Sequence, residues 1–187
     1  MRKVILQELV TVDGHAAGPN GELDFFDVVT DYSEVDRDNL EVLKRVDTIL
    51  LGARTYQMFV EYWPTAEGEP VAESVNTIRK TVFSSRLEEA PWGSWDAARL
   101  VRGSAADHVA VQKQRSGNDL IVWGSLSLAH SLLNANLIDE IELLVCPIVL
   151  GHGRRLFPEE IRPLSLELTE ARPYGSGITR LRYRVGT

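Results

Sequence analysis

Three short stretches of this 187-residue chain place small or hydroxyl-bearing residues directly after an apolar run: Gly52-Ala53-Arg54-Thr55, Ser84-Ser85-Arg86 and Gly124-Ser125-Leu126-Ser127. The chemistry they share is anion holding. Where a strand passes into a helix through a glycine, the first helical amides are left unpaired at the positive end of the helix dipole, and a phosphate can rest there. Ser125 and Ser127 can cap such a helix or donate hydroxyl hydrogen bonds to the anion, and both roles stand open at this level. Arg54 and Thr55 can grip a phosphate-bearing ligand with a charged fork and a hydroxyl, or Arg54 can pair with a nearby carboxylate on the surface. Each stretch alone is also an ordinary turn, because short glycine motifs recur without function. Their convergence is the informative feature, since ligands of open α/β sheets bind in the crevice outside the carboxyl ends of parallel strands. Asp13 of Val12-Asp13-Gly14 is a candidate proton source beside water, with loop capping as its other role.

The elements that must position these residues are legible from periodicity. Leu120 to Trp123 has the length and β-branched content of a buried strand, and Leu126, Ala129, Leu132 and Leu133 follow at helical spacing. Further strands are predicted over Lys3–Val12, Thr48–Leu51, Arg79–Phe83, Arg99–Val101 and Leu137–Val145. Helices are predicted from Ser33 to Arg45, Tyr56 to Tyr62, Val71 to Thr77 and Ala105 to Arg115. Asp13 to Asp24, broken by Gly14, Gly18, Pro19 and Gly21, reads as a mobile loop, and Gly151 to Pro158 as an irregular turn. In the tail, Leu164, Leu166 and Leu168 and then Leu181, Tyr183 and Val185 alternate with polar residues, which predicts an antiparallel hairpin. Arg180, Arg182 and Arg184 on its second strand are answered by Glu167, Glu170 and solvent. The exposed aromatics Tyr62, Trp63, Trp92 and Trp95 read as a partner surface, a substrate wall or loop anchors.

Composition bounds the rest. With 44% apolar and 25% charged residues the chain reads as one globular domain over residues 1–187. The net charge of −7 weighs against non-specific nucleic-acid binding, while leaving room for a local arginine pocket. The single cysteine, Cys146, reads as buried and inert, and no metal site is expected because the four histidines lack paired ligand spacing. The N-terminus is charged too early for a signal-peptide core and no apolar run approaches the roughly 20 residues of a membrane span, so the cytoplasm is the expected location.

The order of these motifs, together with Tyr62-Trp63-Pro64, Leu137-Ile138-Asp139-Glu140 and Pro147-Ile148-Val149-Leu150-Gly151-His152-Gly153, resembles the dihydrofolate reductase-like superfamily over nearly the whole chain. Within it the chain is most similar to the reductase domain of the bifunctional riboflavin-biosynthesis deaminase-reductase. The resemblance implies an α/β fold with a mostly parallel central sheet, helices on both faces and an antiparallel C-terminal hairpin. It also implies NADPH as hydride donor. By position it would place Gly52, Arg54, Thr55, Ser84, Ser85 and Arg86 around the adenosine ribose and its 2′-phosphate. Gly124, Ser125, Leu126 and Ser127 would hold the pyrophosphate, and Asp13 with its loop would cover nicotinamide and substrate. The chain departs from the family's pattern at Ser125, where a second glycine commonly stands. None of Asp31, Glu34, Asp36 and Asp38 can be singled out as the helix carboxylate of folate-reducing enzymes. No His/Cys zinc signature of the deaminase half stands in this sequence. The expected activity is reduction of a small pterin-, pyrimidine- or carbonyl-type acceptor, related to 5-amino-6-(5-phosphoribosylamino)uracil reductase, in a protein that acts as a monomer or homodimer. A non-catalytic nucleotide- or small-molecule-binding protein is the alternative.

Overall fold

The computed structural model describes residues 1–186. Its centre is strand β1 (Val4–Thr11), hydrogen-bonded in parallel to β6 (Asp119–Trp123) on one side and β7 (Glu140–Cys146) on the other. With strands β3 (Val46–Gly52), β4 (Arg79–Phe83) and β5 (Arg99–Val101) they continue as one parallel array, closed at the far edge by β10 (Thr179–Val185) and β9 (Leu166–Pro173), which run antiparallel. The order across the sheet is β5-β4-β3-β6-β1-β7-β10-β9.

Because successive strand residues point to opposite faces, each central strand feeds two cores. Val4, Leu6, Val10, Leu50 and Val122 pack with Val109 of α4 (Ala105–Lys113) and Leu128 and Leu132 of α5 (Leu126–Asn134). Ile5, Ile49, Leu51 and Ile121 pack with α1 (Ser33–Leu43), α2 (Ala53–Tyr62) and α3 (Ala72–Thr77). This is the expected three-layer arrangement. Burying one such leucine or isoleucine contributes about 1.5–3 kcal/mol.

Several expectations are corrected in detail. The segment after Asp13 is not a free loop: β2 (His15–Ala17) pairs with β8 (Arg154–Arg155) in a second, two-stranded sheet that also orders the glycine-rich turn before it. Helix α2 starts at Ala53, so Arg54 and Thr55 lie in its first turn. Strand β7 starts at Glu140, after Asp139 has accepted hydrogen bonds from Val4 N (2.7 Å) and Lys113 Nζ (2.5 Å). Trp92 is fully buried, donating its indole N–H to Asn76 Oδ1 at 2.7 Å. Arg182 and Arg184 do pair with Glu170 and Glu167, but Arg180 is buried and meets Asp38 and Glu142 instead. The Cys146 thiol is buried, and burial pushes it up to about 11.

Candidate functional site

Adjacent parallel strands deliver their carboxyl ends side by side, and β3 next to β6 sets Gly52 beside Gly124. Ser125 follows with φ 63° and ψ 55°, a left-handed conformation that costs a non-glycine residue about 1 kcal/mol. Its hydroxyl turns away from the helix and accepts a hydrogen bond from Gly52 N at 2.8 Å. Gly124 has φ +59°, and a Cβ there would stand 3.0 Å from Thr55 Cγ2, so the turn after β6 packs directly on the first turn of α2. The N-termini of α2 and α5 are thereby brought together. The first intrahelical bond of α5 is Ala129 N to Ser125 O at 2.9 Å, leaving the amides of Leu126, Ser127 and Leu128 ahead of it.

These two helix ends differ from the others in charge. Neither α2 nor α5 has an acidic residue in its first turn, whereas α1 carries Glu34 and Asp36, α3 carries Glu73 and α4 carries Asp107. Neither helix end is thus compensated by an acidic side chain of its own first turn. They open on a cavity of about 670 Å³, together with Arg54 and Arg154. Both arginines hold the Pro19–Gly21 turn over this end, Arg54 Nη2 donating to Asn20 O (2.5 Å) and Arg154 Nε to Pro19 O (3.2 Å).

Of the residues singled out in the sequence, Gly52, Arg54, Thr55, Gly124, Ser125, Leu126 and Ser127 line this one cavity. Ser84, Ser85 and Arg86 follow β4 at the same sheet edge, since Phe83 is in register with Gly52, but they lie outside the cavity wall. Ser84 Oγ is engaged locally, accepting from Arg86 N and Leu87 N, both at 3.1 Å. Asp13 also lies outside the wall. Its carboxylate accepts from Thr11 Oγ1 (2.6 Å), Gly151 N (2.7 Å) and Leu150 N (3.2 Å) and faces His15 Nδ1 at 3.2 Å. The Thr11 hydroxyl and the two backbone amides, with His15, hold it well below the usual carboxylate range. This geometry is that of a loop fastener, the other role that the sequence left open for Asp13.

The cavity wall also carries aromatic and acidic side chains. Trp63 and Trp123 stack with centroids 6.5 Å apart at 25°, and Phe59 meets Trp123 edge-on at 6.4 Å. Gln7 locks the floor: it accepts from the Trp123 indole N–H and donates to Asn39 Oδ1 (3.0 Å) and Glu142 Oε1 (2.7 Å). Among the acidic residues of the first helix region, only Asp36 reaches the cavity. Asp31 accepts from Ser33 N (2.9 Å), Glu34 from Gly175 N (2.7 Å), and Asp38 is buried against Arg172, Tyr174 and Arg180. Burial, then repulsion from Glu69 and Asp31, raises the Asp36 carboxyl above its ordinary value. Glu69, also in the wall, accepts from Tyr62 Oη at 2.6 Å.

Glu8 is the residue that sequence reasoning missed. It lines the cavity, is only 9% exposed, and its Oε2 has no hydrogen-bond partner among the described residues. Burial pushes its carboxyl up to about 8, so it holds a proton at neutral pH. Its strand was predicted, and the available signal was its even position, which it shares with the core residues Val4, Leu6 and Val10 in a strand buried on both faces.

Comparison with known proteins agrees with this architecture. A family model described as the RibD C-terminal domain matches residues 2–180. The uncharacterized protein YyaP of Bacillus subtilis (strain 168) is 30% identical over 187 residues, covering 97% of this chain and 94% of that protein. A Shewanella sp. PV-4 protein whose name assigns it to riboflavin biosynthesis superposes with a TM-score of 0.80 at 26% identity, over 99% of both chains. Dihydrofolate reductase from Enterococcus faecalis, complexed with NADP(H), superposes with a TM-score of 0.63 at 9% identity, over 99% of this chain and 97% of that one.

Proposed function

The chain belongs to the RibD C-terminal domain family and has the dihydrofolate reductase-like fold, and from that premise we propose that it is an NADPH-dependent reductase of a small ring or carbonyl acceptor. What carries this reading is the pairing of two acid-free helix N-termini, α2 and α5, on one cavity whose wall also carries Arg54, Arg154 and aromatic side chains. Those are the surfaces a pyridine dinucleotide needs, amides and cations for its phosphates and apolar faces for its flat ring. The amides after Ser125 and the Gly52–Thr55 turn would hold the phosphates, with Arg54 on the 2′-phosphate and Ser84, Ser85 and Arg86 within reach at the same sheet edge. Bound there, NADPH would supply hydride to the acceptor.

The protein's own chemistry is positioning and proton supply. Gln7 fixes Trp123 and so the floor on which a flat acceptor rests. Glu8, protonated at neutral pH and without a partner, gives the proton that balances hydride addition; Asp13 fastens the covering loops. Binding without turnover would follow from a blocked phosphate turn or from a missing proton donor. Ser125 directs its hydroxyl at Gly52, and Glu8 fills the donor role. Titrating NADPH while following its fluorescence tests the reading. Saturable binding is expected, followed by oxidation with a member of a pterin, pyrimidine and carbonyl panel; no saturation at millimolar cofactor overturns it.

A further inference from the structure

A row of polar side chains crosses the sheet to the cavity. Trp123 of β6, Gln7 of β1, Glu142 of β7, Arg182 of β10 and Glu170 of β9 stand in register on five neighbouring strands, and therefore on one face. Each is joined to the next. The Trp123 indole N–H donates to Gln7 Oε1, Gln7 Nε2 to Glu142 Oε1 (2.7 Å) and Arg182 Nε to Glu142 Oε2 (3.1 Å), while Arg182 Nη1 pairs with Glu170 Oε2 at 2.9 Å. Arg180 Nη2 brings a second guanidinium donor to Glu142 Oε2 at 3.1 Å. Gln7 and Trp123 line the cavity, whereas Glu142 lies outside its wall and is 1% exposed. Two positions along the same strands, on the same face, Ile5, Ile121 and Leu144 are buried, so the row interrupts an apolar surface.

The directions of these bonds are fixed by their ends. Indole and guanidinium nitrogens only donate, so Gln7 turns its oxygen to Trp123, its Nε2 hydrogens go to Glu142 and Asn39, and Glu142 accepts at both oxygens. Buried ion pairs are weak evidence for stability, because packed apolar residues of like volume serve a core as well. What this one adds is a single orientation. We propose that Glu142 is a positioning residue for the cavity: acting through Gln7, it holds the Trp123 indole as a wall for a flat ligand, stacked on Trp63 at 25° with Phe59 edge-on. That the indole is held rests on the hydrogen bonds alone; that the flat ligand is the acceptor to be reduced rests on the reductase reading.

Glu142→Gln keeps the shape of the side chain and inverts one end of it. Its amide oxygen must stay on the Arg180 and Arg182 donors, which sets its N–H2 group against Gln7 Nε2, donor to donor, and Gln7 must turn its oxygen away from the indole. The chain has four tryptophans, and isotopic labelling of tryptophan nitrogen gives each indole N–H its own NMR signal, that of Trp123 being the one lost in Trp123→Phe. In Glu142→Gln the Trp123 signal should move and its hydrogen exchange quicken about tenfold or more, while Trp92, bonded to Asn76, stays unchanged. Adding Gln7→Glu places an acceptor-only group between the indole and the new amide, and should return Trp123 exchange to within about threefold of wild type. If Glu142→Gln fails to fold, Glu142→Asp, which keeps its charge on the arginines and shortens the reach to Gln7 by one methylene, should move the Trp123 signal in the same sense. With an acceptor that oxidises NADPH, KM for that acceptor should rise about tenfold in Glu142→Gln while kcat changes less than about threefold. A folded variant whose Trp123 signal and exchange match wild type, a double variant no better than the single one, or a level KM overturns the proposal. NADPH titration by its own emission, run in parallel, separates the two claims: its failure with the Trp123 response intact removes the reductase reading alone.

Discussion

Ser125 Oγ accepts a hydrogen bond from Gly52 N at 2.8 Å, so the turn after β6 is fastened to the turn after β3 and two helix N-termini face one space. The bond explains how a residue with a side chain occupies a left-handed position at a phosphate turn: the hydroxyl that would crowd an anion is spent on the neighbouring strand. Ser125→Ala keeps the backbone strain and loses the bond, and should cost about 1–2 kcal/mol. Ser125→Gly loses the bond but also the strain, and should be more stable than the alanine variant by about 1 kcal/mol. Urea unfolding gives both values; equal stabilities would show that the strain plays no part. Both variants should bind NADPH about three- to tenfold more weakly.

Glu8→Gln separates catalysis from packing. The wild-type carboxyl, pushed up to about 8 by burial, is a proton donor below that pH, so turnover should be level through neutrality and fall as pH rises past about 8. The glutamine variant should lose about 100-fold or more in kcat and lose that alkaline limb, with NADPH affinity unchanged. Stability carries an independent sign. A carboxyl whose folded pKa lies above its ordinary 4.5 favours the fold fully below pH 4.5, and that contribution is lost as pH rises toward about 8. Replacing Glu8 by glutamine should flatten this part of the stability profile and leave the variant the more stable one at pH 8.

Arg54→Gln tests the assignment of the cationic end. Loss of a charged fork beside a 2′-phosphate should weaken NADPH about tenfold or more while changing NADH little, and should shallow the salt dependence of NADPH binding. Equal losses for both cofactors would mean that Arg54 acts only by holding Asn20 and the turn around it.

Periodicity reveals elements that pack by their own pattern and hides contacts that depend on chain crossing. Strands Arg79–Phe83 and Arg99–Val101 coincide with prediction, and so does the switch into α5, because apolar runs bounded by turn residues report burial directly. The convergence of Gly52 with Gly124 was legible as a rule about parallel strands. Asp36 and Glu69 were not, since they stand 33 positions apart across a whole strand–helix unit and only the fold brings both to the lining of one cavity. Arg180 looked like a surface charge by alternation alone. Its burial follows from Asp38 on α1 and Glu142 on β7, two partners that no local pattern ties to it.

Asp13→Asn distinguishes a fastener from a catalyst. The carboxylate is held below its ordinary range, so its contribution to stability is present above pH 3.8 and is lost as pH falls through the lowered folded value. Asparagine should keep turnover within about threefold, because it leaves the proposed proton donor untouched, while weakening the grip on two amides. Hydrogen exchange at Leu150 and Gly151 should quicken. A collapse of kcat with unaltered exchange would return Asp13 to the chemistry.

The short seam between β2 and β8 has a mechanical corollary. Gly153, at φ +149°, passes so close to Ala17 that a Cβ would lie 2.3 Å from its carbonyl oxygen, and Asp13 clamps Gly151 just beyond. Two segments some 135 residues apart in the chain are therefore one flap. Lengthening either segment by insertion would unseat both, and a graft that imports a relative's covering loop must bring its counterpart along.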